Sequence, residues 1–341
     1  MPDLLPDQFR FSHEFAFFLH DTLASLIVAG QKAGIFTVKV AFESPSEAEV
    51  FSRLSGEELW EWLENNGYEE IVSELAYKQV IVALLSDFCH FVYEALTCSQ
   101  KGKLTVAYSL LRKPFKENLF YLEWLLADPE DFKRKYREEG ASSLVLVGRE
   151  SIPSERRLAI IQGAINKTRF PGWVSAEFIY DLRYSGDAYY GFDYLWNKAT
   201  HLVTTFRAFR TEDENFNFVF STREAHLDQW HHLYLLVPLL LYHTIEVVEP
   251  LIGTIADLQH FEADLNYMRR FAGFGLWIQD LHRGDELQSV LDRWNSLNLR
   301  CPECARTIAL DRLMLESMYR YGWAKCKACH RRFRLNEVTL N

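Results

Sequence analysis

Cys301-Pro302-Glu303-Cys304 and, after 21 intervening residues, Cys326-Lys327-Ala328-Cys329 form two Cys-x-x-Cys hooks near the end of a 341-residue chain. Each hook can aim two sulfurs from one tight turn. Two hooks together can therefore place four thiolates at the corners of one tetrahedron, the arrangement Zn²⁺ takes in a closed structural site. The spacing runs about one residue past the usual interval for such pairs. Iron in a rubredoxin-like four-cysteine site is the alternative metal. Two disulfides are the competing use of the thiols, but Met1 to Arg10 holds Asp3 and Asp7 and no basic run. That is no secretory signal, so the expected setting is the cytoplasm, with no membrane partner. Cys89 and Cys98 remain as unpaired extras.

Residues 293–341 resemble a zinc ribbon, in which each hook tips a short hairpin and the metal replaces a core that so small a unit cannot build. The resemblance implies a lead-in over Leu297 to Arg300 and a strand over Arg331 to Leu335. Two features depart from the family pattern. Many ribbons carry Gly after each hook, where this chain has Ala305 and His330. Asp311 to Tyr321 also reads as a helical insert, with Leu313, Leu315, Met318 and Tyr319 at helical spacing.

Charge separates this tail from the rest. The chain carries a net charge of -10, yet residues 293–341 hold ten Lys/Arg against four Asp/Glu, or +6, which leaves -16 on residues 1–292. Four thiolates and one Zn²⁺ together subtract two, so the tail stays basic. Arg331, Arg332 and Arg334, beside Phe333 and Trp323, are the candidates for meeting phosphates and stacking on a base. A basic tail can equally dock on a partner protein or on the acidic body.

The body, residues 1–292, reads as mainly α, a multi-helix bundle packed with aromatics, which make up 15% of the chain. Phe11, Phe15, Phe18, Leu19, Leu23 and Leu26 mark a helix over residues 8–30 that ends by Gly30 or Gly34. A linker is expected near Ser44-Pro45-Ser46, and Ser55-Gly56-Glu57-Glu58 reads as a capping box. Tyr68 to about Thr97 forms a long helix, Lys101-Gly102 turns the chain, and 103–127 runs back as a second. Asp128-Pro129 caps a short helix that stops at Gly140, and an apolar run follows to Glu150. Further helices are expected over 153–167, 174–182, 187–209, 224–248, 250–271 and 284–297, with a strand-like stretch at Phe216 to Phe220. The 224–248 segment is the most hydrophobic; Pro238, His243 and Glu246 interrupt it, so it reads as core.

The second long helix carries Leu110-Leu111-Arg112-Lys113-Pro114-Phe115-Lys116-Glu117-Asn118 and then Tyr121-Leu122-Glu123-Trp124-Leu125. Pro114 should kink it and free a carbonyl, a cost of about 3 kcal/mol unless neighbours compensate. This helix, with the long one before it and the Lys-Gly turn, resembles bacterial helical proteins related to the HEPN superfamily. HEPN ribonucleases pair Arg with His across four to six residues, and none of the eleven histidines has that partner, which argues against that chemistry. His226, Asp228, His231 and His232 lack a chelating set: His226 and His231 are five apart, and Asp228 with His232 makes only two ligands. Phosphate-loop, dinucleotide, nucleophile-elbow and His-Glu-x-x-His patterns are absent. Two functions follow as expectations. One is a binding or scaffold protein whose zinc ribbon contacts nucleic acid or a partner protein. The other is an enzyme acting on a nucleotide or nucleic acid through a pocket of Arg112, Glu117, Asn197 and His201, with the ribbon as targeting module.

Overall fold

The computed structural model describes residues 3–139, 141–146, 152–169, 172–186, 188, 190–205, 210–214, 216–217, 222–256, 260–281, 300–308 and 310–334. The helix expected over 284–297, the boundary at 292, and parts of the 140–150, 216–220, 297–300 and 331–335 stretches lie outside these. The architecture is mainly helical, with a two-stranded hairpin at the cysteine end.

Helix α1 (Arg10–Ala33) buries Phe15, Leu19 and Leu23 along one face and ends where Gly34 takes φ 68°. The residues expected as a linker instead start α2 (Pro45–Phe51): Ser44 accepts from the Glu47 N–H, and Pro45 fills the first turn. In α3 (Glu57–Asn65) the N-cap is Gly56. Only half of the expected box forms, the Glu58 carboxylate accepting from the Ser55 N–H. Helix α4 (Glu69–Gln100) runs to the turn at Lys101-Gly102, and α5 (Leu104–Lys113) packs back along it.

Where a kink is expected at Pro114, the helix changes its hydrogen-bond pattern. Residues Pro114–Asn118 form a π-turn in which the Leu119 N–H reaches back to the Pro114 carbonyl, and α6 (Leu119–Ala127) resumes beyond. Helix α9 (Ala176–Tyr184) bonds two carbonyls inside this turn. Arg183 Nη1 donates to the Phe115 carbonyl at 3.3 Å and the Tyr184 hydroxyl to the Lys116 carbonyl at 2.6 Å. Every polar residue of Arg112 to Asn118 has a partner: Arg112 with Glu117, Lys113 with Asp87, Lys116 with Asp193, and Asn118 with Asp87. The polar side chains of that stretch are thus taken up by pairs around an irregular turn.

Arg183 is itself held by a fully buried carboxylate. Its Nη2 donates to both Glu123 oxygens at 3.0 and 2.8 Å, and His243 Nε2 lies 2.8 Å from Glu123 Oε1. Burial alone would raise the Glu123 carboxyl, but Arg183 and His243 outweigh it and hold the group below its ordinary range. The trio ties together α6, α9 and α11 (Arg223–Gly253).

Short α7 (Pro129–Arg134) is capped by Asp128 and continues as a π-turn, Lys135–Glu139. Helix α8 (Ser154–Ile165) packs on α6. Helix α10 (Asp193–Thr200) is far shorter than the 187–209 reading. Beyond it, side chains take over the backbone groups: Thr211 Oγ1 accepts from the Thr204 N–H, and Asn217 Nδ2 donates to the His201 carbonyl. In α11 neither Pro238 nor Pro250 ends the helix. Both α4 and α11 are long and apolar enough to cross a membrane by length and composition; 78% of the most apolar window of α11 is buried inside the fold.

Helix α12 (His260–Leu281) joins α11 through Arg270, whose guanidinium forks onto Glu249 at 2.7 Å twice and leaves Glu246 at 3.6 Å. Burial therefore dominates at Glu246 and pushes its carboxyl up to about 7. The tail's helical insert, α13 (Arg312–Tyr321), packs on the body. Tyr319 meets the rings of Phe11, Phe15 and Phe18 at 5.9, 6.0 and 5.0 Å, and its carbonyl accepts from Arg269 Nε. Gly273 permits this approach, since a Cβ there would lie 2.6 Å from Phe15 and 2.8 Å from Tyr319.

Glu123→Gln leaves the Arg183 cation buried without its counter-charge, and is expected to cost about 3–5 kcal/mol in a chemical denaturation curve. Arg112→Ala, at the half-exposed pair, is expected to cost less than about 1 kcal/mol. The raised Glu246 carboxyl favours the fold below its unfolded value, near the ordinary 4.5, and that contribution is lost as pH rises through about 7. Glu246→Gln is therefore expected to raise the melting temperature more at pH 8 than at pH 5, as read by thermal scans at both.

Candidate metal centre

The two hooks fold into the same local structure. In the first, the Ala305 N–H donates to the Cys301 carbonyl at 2.9 Å and the Cys301 N–H to the Arg306 carbonyl at 3.0 Å. In the second, His330 donates to Cys326 at 2.8 Å and Cys326 to Arg331 at 2.9 Å. Closing such a turn forces the residue after each second cysteine into the left-handed region, with φ 55° at Ala305 and 60° at His330. These are the two positions where the ribbon pattern favours Gly. The departure read in the sequence is thus one of residue type, and the backbone keeps the glycine conformation.

The hooks face each other. Cys301 Sγ lies 3.7 Å from Cys329 Sγ, Cys304 Sγ 3.7 Å from Cys326 Sγ, and all four sulfurs fall within 4.8 Å of one another. A tetrahedron with metal–sulfur bonds of about 2.3 Å has edges of about 3.8 Å. The four cysteines therefore form a cluster that can hold one metal ion, with every position taken by protein sulfur. The thiols titrate together: backbone N–H groups of Cys329 and Ala328 pull Cys326 down to about 7, while at Cys329 the Arg331 N–H is outweighed by burial and the neighbouring sulfurs, which push it up to about 11. Cys301 and Cys326 are buried, Cys304 is half-buried and Cys329 is exposed, so the cluster sits at the surface with its inner side against the core.

Beyond α13, Gly322 reverses the chain at φ 69°, and β1 (Trp323–Lys325) pairs antiparallel with β2 (Arg332–Arg334) across the second hook. The register sets Trp323 opposite Arg334, Ala324 opposite Phe333, and Lys325 opposite Arg332. Since side chains alternate across a strand, Ala324 and Phe333 share one face and the other four share the second. Ala324 and Phe333 are 2% and 4% exposed and belong to the core. Phe333 is thus corrected from a surface stacking residue to an anchor of the hairpin. On the outer face the Arg332 guanidinium lies 4.6 Å from the Trp323 ring centroid, and Tyr321 stacks on Trp323 at 6.0 Å. Arg334 lies on this face too, whereas Arg331 pairs with Glu303. Lys325 completes the outer face; period-two alternation through Trp323 was the signal that could have found it.

The residues proposed for a catalytic pocket stand differently. Arg112 Nη1 and Glu117 Oε1 are 3.7 Å apart and half-exposed. Asn197 Nδ2 donates to the Asp193 carbonyl within its own helix, and His201 is exposed at the C-cap of α10. Among the described residues no hydrogen bond or ion pair joins the first two to the last two. His232 accepts no metal-like company either. It is bonded to the Tyr190 carbonyl and pushed down to about 4 by burial, while Asp228 and His231 are exposed. The polar cluster that sequence reading missed is Glu123, Arg183 and His243, flagged only by charged residues at positions where an apolar face was due.

Comparison with family models, with curated proteins and with solved structures finds no match to this chain.

The left-handed turn at Ala305 makes a direct expectation. Ala305→Val puts a β-branched residue where φ is positive and should speed metal loss to a chelator severalfold, whereas Ala305→Gly should slow it or leave it unchanged. Time courses of chelator competition read both.

Proposed function

We propose that the four cysteines hold one structural Zn²⁺ and that the protein is a helical binding protein whose hairpin contacts nucleic acid. The single observation that carries this reading is the outer hairpin face, where Lys325, Arg332 and Arg334 lie together beside Trp323 while the opposite face is buried. Zn²⁺ suits four thiolates in a closed tetrahedron, and its role there is to fix the two turns; it leaves no position for substrate. The ion thereby holds the hairpin rigid enough to present its cations as a set. Charge segregation favours a polyanion: the tail is +6 while the remaining 292 residues are -16, so phosphates are drawn to one end and repelled by the other. Arg332 is held over the Trp323 ring, which limits its freedom before it meets a phosphate in a two-pronged contact. The enzyme reading, with or without a HEPN-related body, draws no comparable support, because among the described residues no bond joins Arg112 and Glu117 to Asn197 and His201.

Metal analysis of the purified chain is expected to give one zinc per chain; iron instead would sink the assignment of the ion. Arg332→Ala with Arg334→Ala should weaken oligonucleotide binding and reduce the slope of log affinity against log salt by about 2, since each lost phosphate contact removes about 1. Arg331→Ala, which removes a residue already paired with Glu303, should change it less. Unchanged affinity in the double variant would assign the face to a protein partner.

A further inference from the structure

Beside the hairpin the described residues form a groove of about 320 Å³ between α13 and β1. Leu313, Met314 and Trp323 line it together with Lys325, Lys327 and His330. Phosphate contact alone gives no use for its apolar part. Leu313 is 76% exposed and, one helix end away, Tyr321 is 68% exposed, both large apolar surfaces left in water beside a basic face. The volume is at the small end of ligand-holding pockets, enough for a base and its sugar.

We infer that this groove takes an unpaired base, and that the nucleic acid bound by the protein is single-stranded. The inference rests on the nucleic-acid reading above and narrows it. Three features argue for an unstacked base over a duplex. First, α13 packs directly beside β1. A helix with side chains is about 10–12 Å across and the major groove of DNA about 12 Å wide, so helix and hairpin abreast cannot enter it as a lone ribbon could. Second, the groove's apolar wall meets bases only when they are splayed from a stack, as in single strands. Third, the surfaces lie side by side as such a strand needs: Leu313, Trp323 and Lys325 line the groove, Arg332 stands opposite Lys325 on the same hairpin face, and the Tyr321 ring stacks on Trp323 for a neighbouring base. Lys327, at the groove's edge, is tethered to Asp311 and holds the mouth of the groove near the start of α13. A base in the groove and its phosphate at Lys325 and Arg332 thus use apolar and charged groups at once.

The test uses the full metal-loaded chain with a fluorescein-labelled single-stranded oligonucleotide and the duplex of the same sequence, read by anisotropy at fixed salt. The wild type is expected to bind the single strand at least tenfold more tightly. Leu313→Ser, a change at an exposed position, should weaken single-strand binding about tenfold and leave the duplex unchanged, with metal content and helical circular dichroism unaltered. Equal affinity for the two forms with Leu313→Ser silent overturns the groove's role while the hairpin's contact with nucleic acid stands. No binding of either form, with Leu313→Ser releasing a protein partner instead, overturns both.

Discussion

One buried ion pair sets the frame on which the rest is hung. Arg183 and Glu123 are both wholly removed from water, a circumstance that costs several kcal/mol per charge unless each finds complete partners. They do so by drawing three elements to one point: α9 brings the guanidinium, α6 the carboxylate, and α11 the His243 ring. The same guanidinium spends another N–H on the carbonyl of Phe115, inside the turn that Pro114 opens. The irregular turn and the buried pair therefore stabilise each other. Helix α11 in turn packs against α1 and is bonded to α12 through Glu249 and the Tyr234 carbonyl, and these are the two helices on which the cysteine module is built.

The module draws on two sources of order. Metal coordination can hold the hooks together, but the hairpin is only three residues per strand, too short to stand alone. The second source is the body: Tyr319 of α13 packs on the rings of Phe11, Phe15 and Phe18 of α1, and Leu315, Met318 and the hairpin's Phe333 join the same core. This arrangement explains an otherwise odd feature, a helix inserted between two hooks. The helix anchors the hairpin on the acidic body while its two ends leave Leu313 and Tyr321 in water beside the cations.

Charge has a similar division of labour. The inward groups pair among themselves, as Arg270 with Glu249 and Lys116 with Asp193. At the tail, Arg331 is taken up by Glu303 and Lys327 by Asp311. The hairpin turns toward solvent a narrower basic face than composition suggests, set by strand alternation and not by the number of arginines.

The four cysteines, the helical class, the cap at Asp128 and the cost at Pro114 were all legible in the chain, because each is governed by contacts within a few residues. Ala305 and His330 read in the sequence only as departures from glycine; the left-handed backbone that their place after a hook requires is a finding of the structure. The burial of Phe333, the shortness of α10 and the trio of Glu123, Arg183 and His243 were not legible. Phe333 has arginines on either side and reads as surface until β2 is paired with β1. The trio spans 120 residues, from Glu123 to His243. Local propensity carries no term for partners that far apart. Spacing along the chain therefore determined what this protein could coordinate, whereas burial, which depends on distant helices closing over the same point, decided which of its charges and rings still meet water.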